Sequence, residues 1–211
     1  KKVQCFYNFK GGVGKTSLSY QVATHLALLG YKILLIDTDP QANLTNCFGL
    51  VPNLNAPTLY DALIKGIPIN SAIMNIYEGL DFIQSNISLT RLEAELIHQP
   101  RKEELLKDLI DSVKENYDFV MIDANPNINQ INRNVINASE VINIVCETQP
   151  FSIMGLSLLY EDMKGFFQKM KKEMPLLNII PNKYEDRVST SAEAMHTLRE
   201  NFNDYMKSDF A

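Results

Sequence analysis

The sequence has little cysteine, no excess of positive charge and no long apolar run, and each shortage closes off a class of function. Its three cysteines, Cys5, Cys47 and Cys146, are odd in number and far apart, with no C-x-x-C pair. That pattern supports neither a disulfide framework nor a zinc site. Cys5 and Cys146 stand in apolar, strand-like runs, where cysteine behaves as a small hydrophobe. All three read as free thiols of a reducing cytoplasm. With 20 Lys+Arg against 25 Asp+Glu, the net charge of −5 excludes coating of nucleic acid by bulk positive charge and leaves only a local basic patch. No apolar run approaches the roughly 18 residues of a membrane span, and the N-terminus lacks the order of a signal peptide. A soluble cytoplasmic protein is expected. The three histidines, His25, His98 and His196, have no acidic or cysteine partner at ligand spacing. The chain starts at Lys1-Lys2 without a methionine and stops at Asp209-Phe210-Ala211, which leaves room for segments missing at one or both ends.

What is present is the alternation of an α/β protein. At 211 residues and 45% hydrophobic, residues 1–211 suffice for one domain with one core. Strand-length apolar runs at Val3–Phe9, Ile33–Asp37, Leu80–Gln84, Phe119–Asp123, Val141–Cys146 and Leu177–Pro181 alternate with helical periodicity. The pattern predicts a mostly parallel central sheet flanked by helices on both faces. Helices are predicted at Thr16–Leu29, Leu89–His98, Arg101–Asn116, Phe151–Glu173 and Ser191–Phe202. In the first of these, Leu18, Val22, Leu26 and Leu29 share one face. Small Ser19, Ala23 and Ala27 allow another side to approach the sheet, and Gly30 gives a C-terminal stop. Asn43–Asn75 is rich in Asn and Pro and predicts loops and short helices, with Thr58-x-x-Asp61 as a capping signal. Lys164, Lys169, Lys171 and Lys172 are expected on one long helix, more as a solvated face than as a DNA contact.

Between the first strand and the first helix lies Lys10-Gly11-Gly12-Val13-Gly14-Lys15-Thr16, followed by Ser17. That context is what a phosphate-binding loop requires. Its glycines permit positive φ, so that successive N–H groups converge on phosphate oxygens at a helix N-terminus. Lys15 is placed to hold the β- and γ-phosphates as a point charge, and the Thr16 hydroxyl to ligate Mg²⁺. Lys10 to Ser17 are therefore the nucleotide-binding residues, and ATP with Mg²⁺ the expected ligands.

The usual P-loop has a glycine where this chain has Phe9, and Lys10 follows it. This form resembles the deviant Walker A motif, K-G-G-x-G-K-[ST], of the family that contains ParA and Soj partition ATPases, MinD and the nitrogenase iron protein. The resemblance implies that Lys10 reaches across a face-to-face dimer to the partner subunit's nucleotide; a solvent-exposed loop lysine is the plainer alternative. Asp37-Thr38-Asp39-Pro40-Gln41-Ala42-Asn43 resembles the D-x-D-P-Q-x-N segment of ParA and Soj proteins. It implies that Asp39 orients the attacking water and that Asp37 lies near the metal as an outer partner; turn or capping roles are the alternative. Tyr117–Asp123 resembles the family's Walker B strand, which implies that Asp123 meets the Mg²⁺ shell, through water like Asp37. The family commonly continues D-x-P-P, whereas this chain reads Asp123-Ala124-Asn125-Pro126. Asn182-Lys183-Tyr184-Glu185 stands where family members read the base, so that Asn182 faces adenine or is simply a turn residue. With Glu185 in place of the aspartate of N-K-x-D GTPases, and Asp186 one residue late, ATP is favoured over GTP.

Taken together, the resemblance implies a P-loop ATPase of weak intrinsic activity whose catalytic residues are Lys10, Lys15 and Asp39. It further implies a homodimer closed by Mg-ATP, non-specific DNA binding in that state, nucleoid association and a ParB-like centromere-binding partner that stimulates hydrolysis. That no winged or helix-turn-helix domain stands before the P-loop in this sequence implies, by the same resemblance, the small ParA type. A MinD-like membrane switch is the alternative, but Asn201–Ala211 is polar and acidic where a basic amphipathic helix is needed. A redox role like that of the nitrogenase iron protein fails because Cys47 and Cys146 fall in the wrong places.

Overall fold

The computed structural model describes residues 2–127, 129–184 and 189–206. In chain order the elements are β1 (Val3–Tyr7), α1 (Lys15–Leu28), β2 (Ile33–Asp37), α2 (Asn43–Cys47), α3 (Leu59–Ile64), β3 (Ile73–Tyr77) and β4 (Leu80–Ile83). They continue with α4 (Leu92–Leu96), α5 (Leu105–Asp111), β5 (Phe119–Asp123), α6 (Gln130–Ala138), β6 (Val141–Glu147), α7 (Pro150–Met170), β7 (Leu176–Asn182) and α8 (Ser189–Phe202). Among the described residues the seven strands form one sheet in the order β3-β4-β2-β5-β1-β6-β7. All neighbours are parallel except the edge pair β3/β4. The predicted fold class is therefore the observed one.

Strands this apolar are needed because both sheet faces are covered. On one face Ile33, Leu35, Phe82, Met121 and Val145 pack against α1 and α2 through Ala23, Ala27 and Leu44. On the other, Leu34, Ile36, Val120, Ile122 and Ile144 meet Leu106, Val135, Leu159, Met163 and Leu198. Cys5 and Cys146 belong to this second layer, and burial pushes both thiols up to about 12. Helix α1 turns its small residues, Ser19, Ala23 and Ala27, fully inward, while Leu18, Val22 and Leu26 are half-buried. Leu29, predicted on the apolar face, is instead an exposed C-cap beside Gly30. Close helix–sheet packing thus depends on the small side chains.

Several boundaries differ from the sequence expectation. β1 ends at Tyr7 because Asn8 turns the chain, its Nδ2 donating to the Val145 carbonyl and its Oδ1 accepting from Lys10 N. The predicted helix 89–98 divides into a 3₁₀ segment, Ile87–Arg91, and α4, while 101–116 shrinks to α5 and the 3₁₀ turn Lys114–Asn116. Asn86, accepting from Ser88 N, starts the first of these. β3 and α6 were not anticipated. The edge strand β3 has no fully buried residue and falls at the end of the Asn- and Pro-rich stretch that predicts loops and short helices, and α6 is rich in Asn, which has low intrinsic helix propensity. Thr58 and Asp61 do form the expected capping box. Lys171, with φ 53, ends α7, so Lys171 and Lys172 lie beyond the helix, and Lys172 pairs with Glu104 at 2.6 Å. The lysine run is not one helix face.

Candidate functional site

The P-loop joins β1 to α1 at the C-terminal edge of the sheet, beside the point where the chain crosses from β1 over β5 to β2. Such crossover points are where open α/β sheets bind ligands. Gly12 and Gly14 have φ of 76° and 99°, and Gly14 is the N-cap of α1. Positive φ aims consecutive amides into the loop. The loop closes a cavity of about 400 Å³ whose floor includes Gly14, Lys15 and Thr16 and whose walls include Asp39, Ala124 and Pro126. Val13 is buried among the apolar residues beneath α1, which anchors the loop.

Lys15 is buried, and its Nζ donates to the Lys10 carbonyl at 3.1 Å. Burial lowers its pKa, opposed by Asp123 and Asp39. A partly desolvated cation at the mouth of an amide-lined loop is suited to polyphosphate. Thr16 Oγ1 donates to Asp123 Oδ2 at 2.7 Å. Asp123 Oδ1 is buried without a hydrogen-bond partner, and burial, with Asp37 nearby, pushes the Asp123 pKa up to about 7. One orphaned carboxylate oxygen beside a hydroxyl is a donor set that fits Mg²⁺. The register of β2 on β5 sets Asp37 opposite Asp123.

Asp37 is tied to the segment that follows it. It accepts from Asp39 N at 3.0 Å, Thr45 N at 2.9 Å and Thr45 Oγ1 at 2.8 Å. Burial still raises its pKa to about 6. Asp37 therefore braces the turn that presents Asp39. The Asp39 carboxylate accepts from Gln41 N and lines the cavity, while the Asp39 carbonyl accepts from Ser85 Oγ at 2.5 Å. Asn43 and Cys47, one turn apart on α2, also line the cavity, a role the sequence analysis did not give to Cys47.

Two features join the P-loop to the far side of the sheet. Asn182 Nδ2 donates to the Val13 carbonyl at 2.8 Å, so this amide buttresses the loop on the side where the base was expected. Lys183 Nζ donates to the Gly12 carbonyl at 2.6 Å and pairs with Glu147 at 2.8 Å. Glu147 also holds Lys10 at 2.6 Å, and the hydrogen bonds from Lys10 and Lys183 lower its pKa. Lys10, with its side chain 42% exposed, thus rests in cis on a carboxylate that the sequence analysis missed. No spacing rule connects Lys10 to Glu147. Glu185 and Asp186 lie outside the described residues.

The Asn182 contact gives a direct test. A Cβ on Gly14 would sit 2.3 Å from Asn182 Nδ2, at a φ that L-residues adopt with strain. Gly14→Ala is expected to cost about 1–2 kcal/mol of stability and to weaken ATP binding at least tenfold by displacing the loop. Denaturant titration and ATP titration measure the two effects. Unchanged ATP affinity in this variant would disprove the close seating of Asn182 against the loop.

Comparison with known proteins agrees with this geometry. Residues 1–176 match the AAA domain family. Over 204 residues the chain is 31% identical to the cell division protein PomZ of Myxococcus xanthus, covering 96% of this chain and 64% of PomZ. It is also 31% identical over 204 residues to the chromosome-partitioning ATPase Soj of Treponema pallidum, covering 96% of this chain and 79% of Soj. A plasmid partition protein of Borrelia burgdorferi, solved with AMPPNP, superposes with a TM-score of 0.83 at 26% identity, over 97% of this chain and 84% of that one. The matched segment includes the P-loop, the Asp37–Asn43 segment and the Asp123 strand, and the chain belongs to the ParA/Soj family of P-loop ATPases.

Proposed function

We propose that this chain is a partition ATPase whose Mg-ATP state is a dimer that binds DNA without sequence preference and whose hydrolysis a ParB-like, centromere-bound partner stimulates. The observation that carries the chemistry is the convergence of Lys15, the Thr16–Asp123 pair and Asp39 on one cavity. Lys15 offsets charge on the β- and γ-phosphates, and the P-loop amides orient them. Thr16 and Asp123 would hold Mg²⁺, Asp123 through water, and the ion would supply positive charge at the phosphate oxygens. Asp39 orients the attacking water at the open side of the cavity. Lys10 adds a cation from the second subunit, as an arginine finger does, once it leaves Glu147. Asn182 Oδ1 is available to the adenine edge while its Nδ2 holds Val13. The kinship with Soj supports the partition role.

Net charge of −5 gives no general attraction to DNA, so a dimer must bring two weak patches onto one surface. Filter binding on unrelated duplexes is expected to show retention with ATP and none with ADP. Affinity is expected to fall about a hundredfold between roughly 50 and 200 mM salt. Lys10→Ala is expected to bind ATP yet neither dimerise nor bind DNA, whereas Asp39→Ala dimerises and stays closed. Pelleting with anionic liposomes and no ATP-dependent DNA binding at low salt would replace this reading by a membrane switch. Among the described residues, no helix is long and apolar enough to cross a membrane.

A further inference from the structure

The loop after Asp123 forms a wall of the nucleotide cavity through Ala124 and Pro126. It is held from behind by one side chain of α6. The two N–H groups of Asn132 Nδ2 are shared among the Asn125 carbonyl at 2.9 Å, Asn125 Oδ1 at 2.8 Å and the Asn127 carbonyl. Asn125 and Asn132 are both buried. The amide orientation is fixed by this environment, because the opposite flip would aim an oxygen at three oxygens.

The position of Asn132 is itself set from two sides. Asn129 caps α6 by accepting from Asn132 N at 3.0 Å. The Glu93 carboxylate of α4 accepts from Gln130 N at 2.8 and 2.9 Å, completing the first turn. Farther along, Asn134 Nδ2 donates to the Lys102 carbonyl, and its Oδ1 accepts from Leu106 N, tying α6 to α5. Asn132 therefore projects from a fixed base onto the loop. Its Oδ1, however, is buried without a partner. An unpaired buried carbonyl is costly. The side chain is thus oriented by what its Nδ2 holds, at some expense in stability.

We propose that Asn132 is a positioning residue for ATP hydrolysis: through Asn125 it fixes the Ala124–Pro126 wall against which the γ-phosphate end of the nucleotide is seated. The inference rests on the ATPase reading above. A side-chain hydrogen bond here does work that a proline ring at residue 125 would do covalently, since a ring restrains the backbone without any donor. A misplacement of about 1 Å can cost about a hundredfold in rate, whereas the P-loop glycines and Lys15 line the cavity from the separate loop between β1 and α1. Turnover is therefore expected to suffer far more than binding.

The test compares wild type, Asn132→Ala, Asn125→Ala, and the double variant Asn132→Ala with Asn125→Pro. ATP affinity, kcat and KM are measured, together with amide hydrogen exchange of residues 123–134 in nucleotide-free protein. Asn132→Ala is expected to lower kcat about tenfold or more, with KM and affinity within about threefold, and to speed exchange in the loop. Asn125→Ala, which removes one of three acceptors, is expected to lower kcat by a smaller factor of about three. Restoring a rigid residue with Asn125→Pro is expected to recover most of the lost turnover. Full turnover in Asn132→Ala overturns the proposal, as does parallel loss of binding and turnover without rescue by Asn125→Pro. If Asn132→Ala does not fold, full activity in Asn125→Ala overturns it instead. A wild-type protein that fails to bind ATP would sink the ATPase reading itself, an outcome distinct from all of these.

Discussion

Replacing Lys15 by Ala is expected to lower ATP affinity and kcat/KM by about a hundredfold to a thousandfold. Two charge-assisted contacts to phosphate, at roughly 1.5–3 kcal/mol each, sum to about 3–6 kcal/mol, and the lower part of that sum corresponds to this range. The fold has no reason to fail with it. Lys15 is a buried cation whose pKa is lowered chiefly by burial, so removing it relieves a desolvation cost. Its one hydrogen bond, to the Lys10 carbonyl, leaves an acceptor on a loop open to the cavity. The loss should therefore arise at the phosphate and not through unfolding. Isothermal titration with ATP, alongside a thermal melt, separates the two. Micromolar ATP binding retained by Lys15→Ala would remove Lys15 from the phosphate site.

Asp123→Asn is expected to do two opposite things, ending hydrolysis while stabilising the nucleotide-free protein at alkaline pH. Burial raises Asp123 to about 7 and Asp37 to about 6, both above the ordinary 3.8. Between those limits the folded protein binds more protons than the unfolded chain. Stability therefore falls as pH rises from about 4 through about 7, and is flat above that. An amide at residue 123 carries no charge to desolvate. The variant is expected to melt higher than wild type at pH 8, by on the order of a few kcal/mol, and to lose most of the pH slope. Asp37 retains a smaller slope below pH 6. The amide oxygen still accepts from Thr16, but it no longer offers a charge to Mg²⁺, so turnover is expected to fall about a hundredfold or more. Melts at pH 5 and pH 8 without nucleotide decide the point. A variant less stable than wild type at pH 8 would show that the native carboxylate is not paying a desolvation cost. In wild type, Mg-ATP is expected to raise the melting temperature most at pH 8, where the carboxylate it pairs with is ionised.

Much of the site could be read before any coordinates because its chemistry is local. Residues 10–17 need only a strand before and a helix after, and both sit in plain periodic sequence. Asp123 could be placed because it ends an apolar strand, where the backbone itself delivers the side chain to the sheet edge, and Asp39 because the segment that follows β2 resembles a family motif. Asp37, by contrast, accepts from Thr45, a partner that the short helix α2 supplies and that no motif in the sequence pairs with it. Helix α6 escaped because asparagines of low helix propensity separate its buried apolar residues, Ile131, Val135 and Ile136, and because its first turn is held by capping and by hydrogen bonds to neighbouring segments. Strand β3 escaped because its short run Ile73–Tyr77 is interrupted by Asn75 and starts inside a stretch whose Asn and Pro content predicts loops.

The sequence by itself determined the parallel α/β class, the phosphate loop, and the candidate carboxylates Asp39 just after β2 and Asp123 at the end of β5, since these follow from hydrophobic period and from motifs a few residues long. Only the tertiary structure decided who holds whom. Glu147 meets Lys10 across 137 residues, Asn182 meets Val13 across 169, and Asn132 meets Asn125 around the turn into a helix. Such contacts depend on strand order and register, which bring β1, β5, β6 and β7 together at one edge. Polar side chains far apart in the chain leave no periodic trace of the partner they will find, because that partner is fixed by how the sheet is wound.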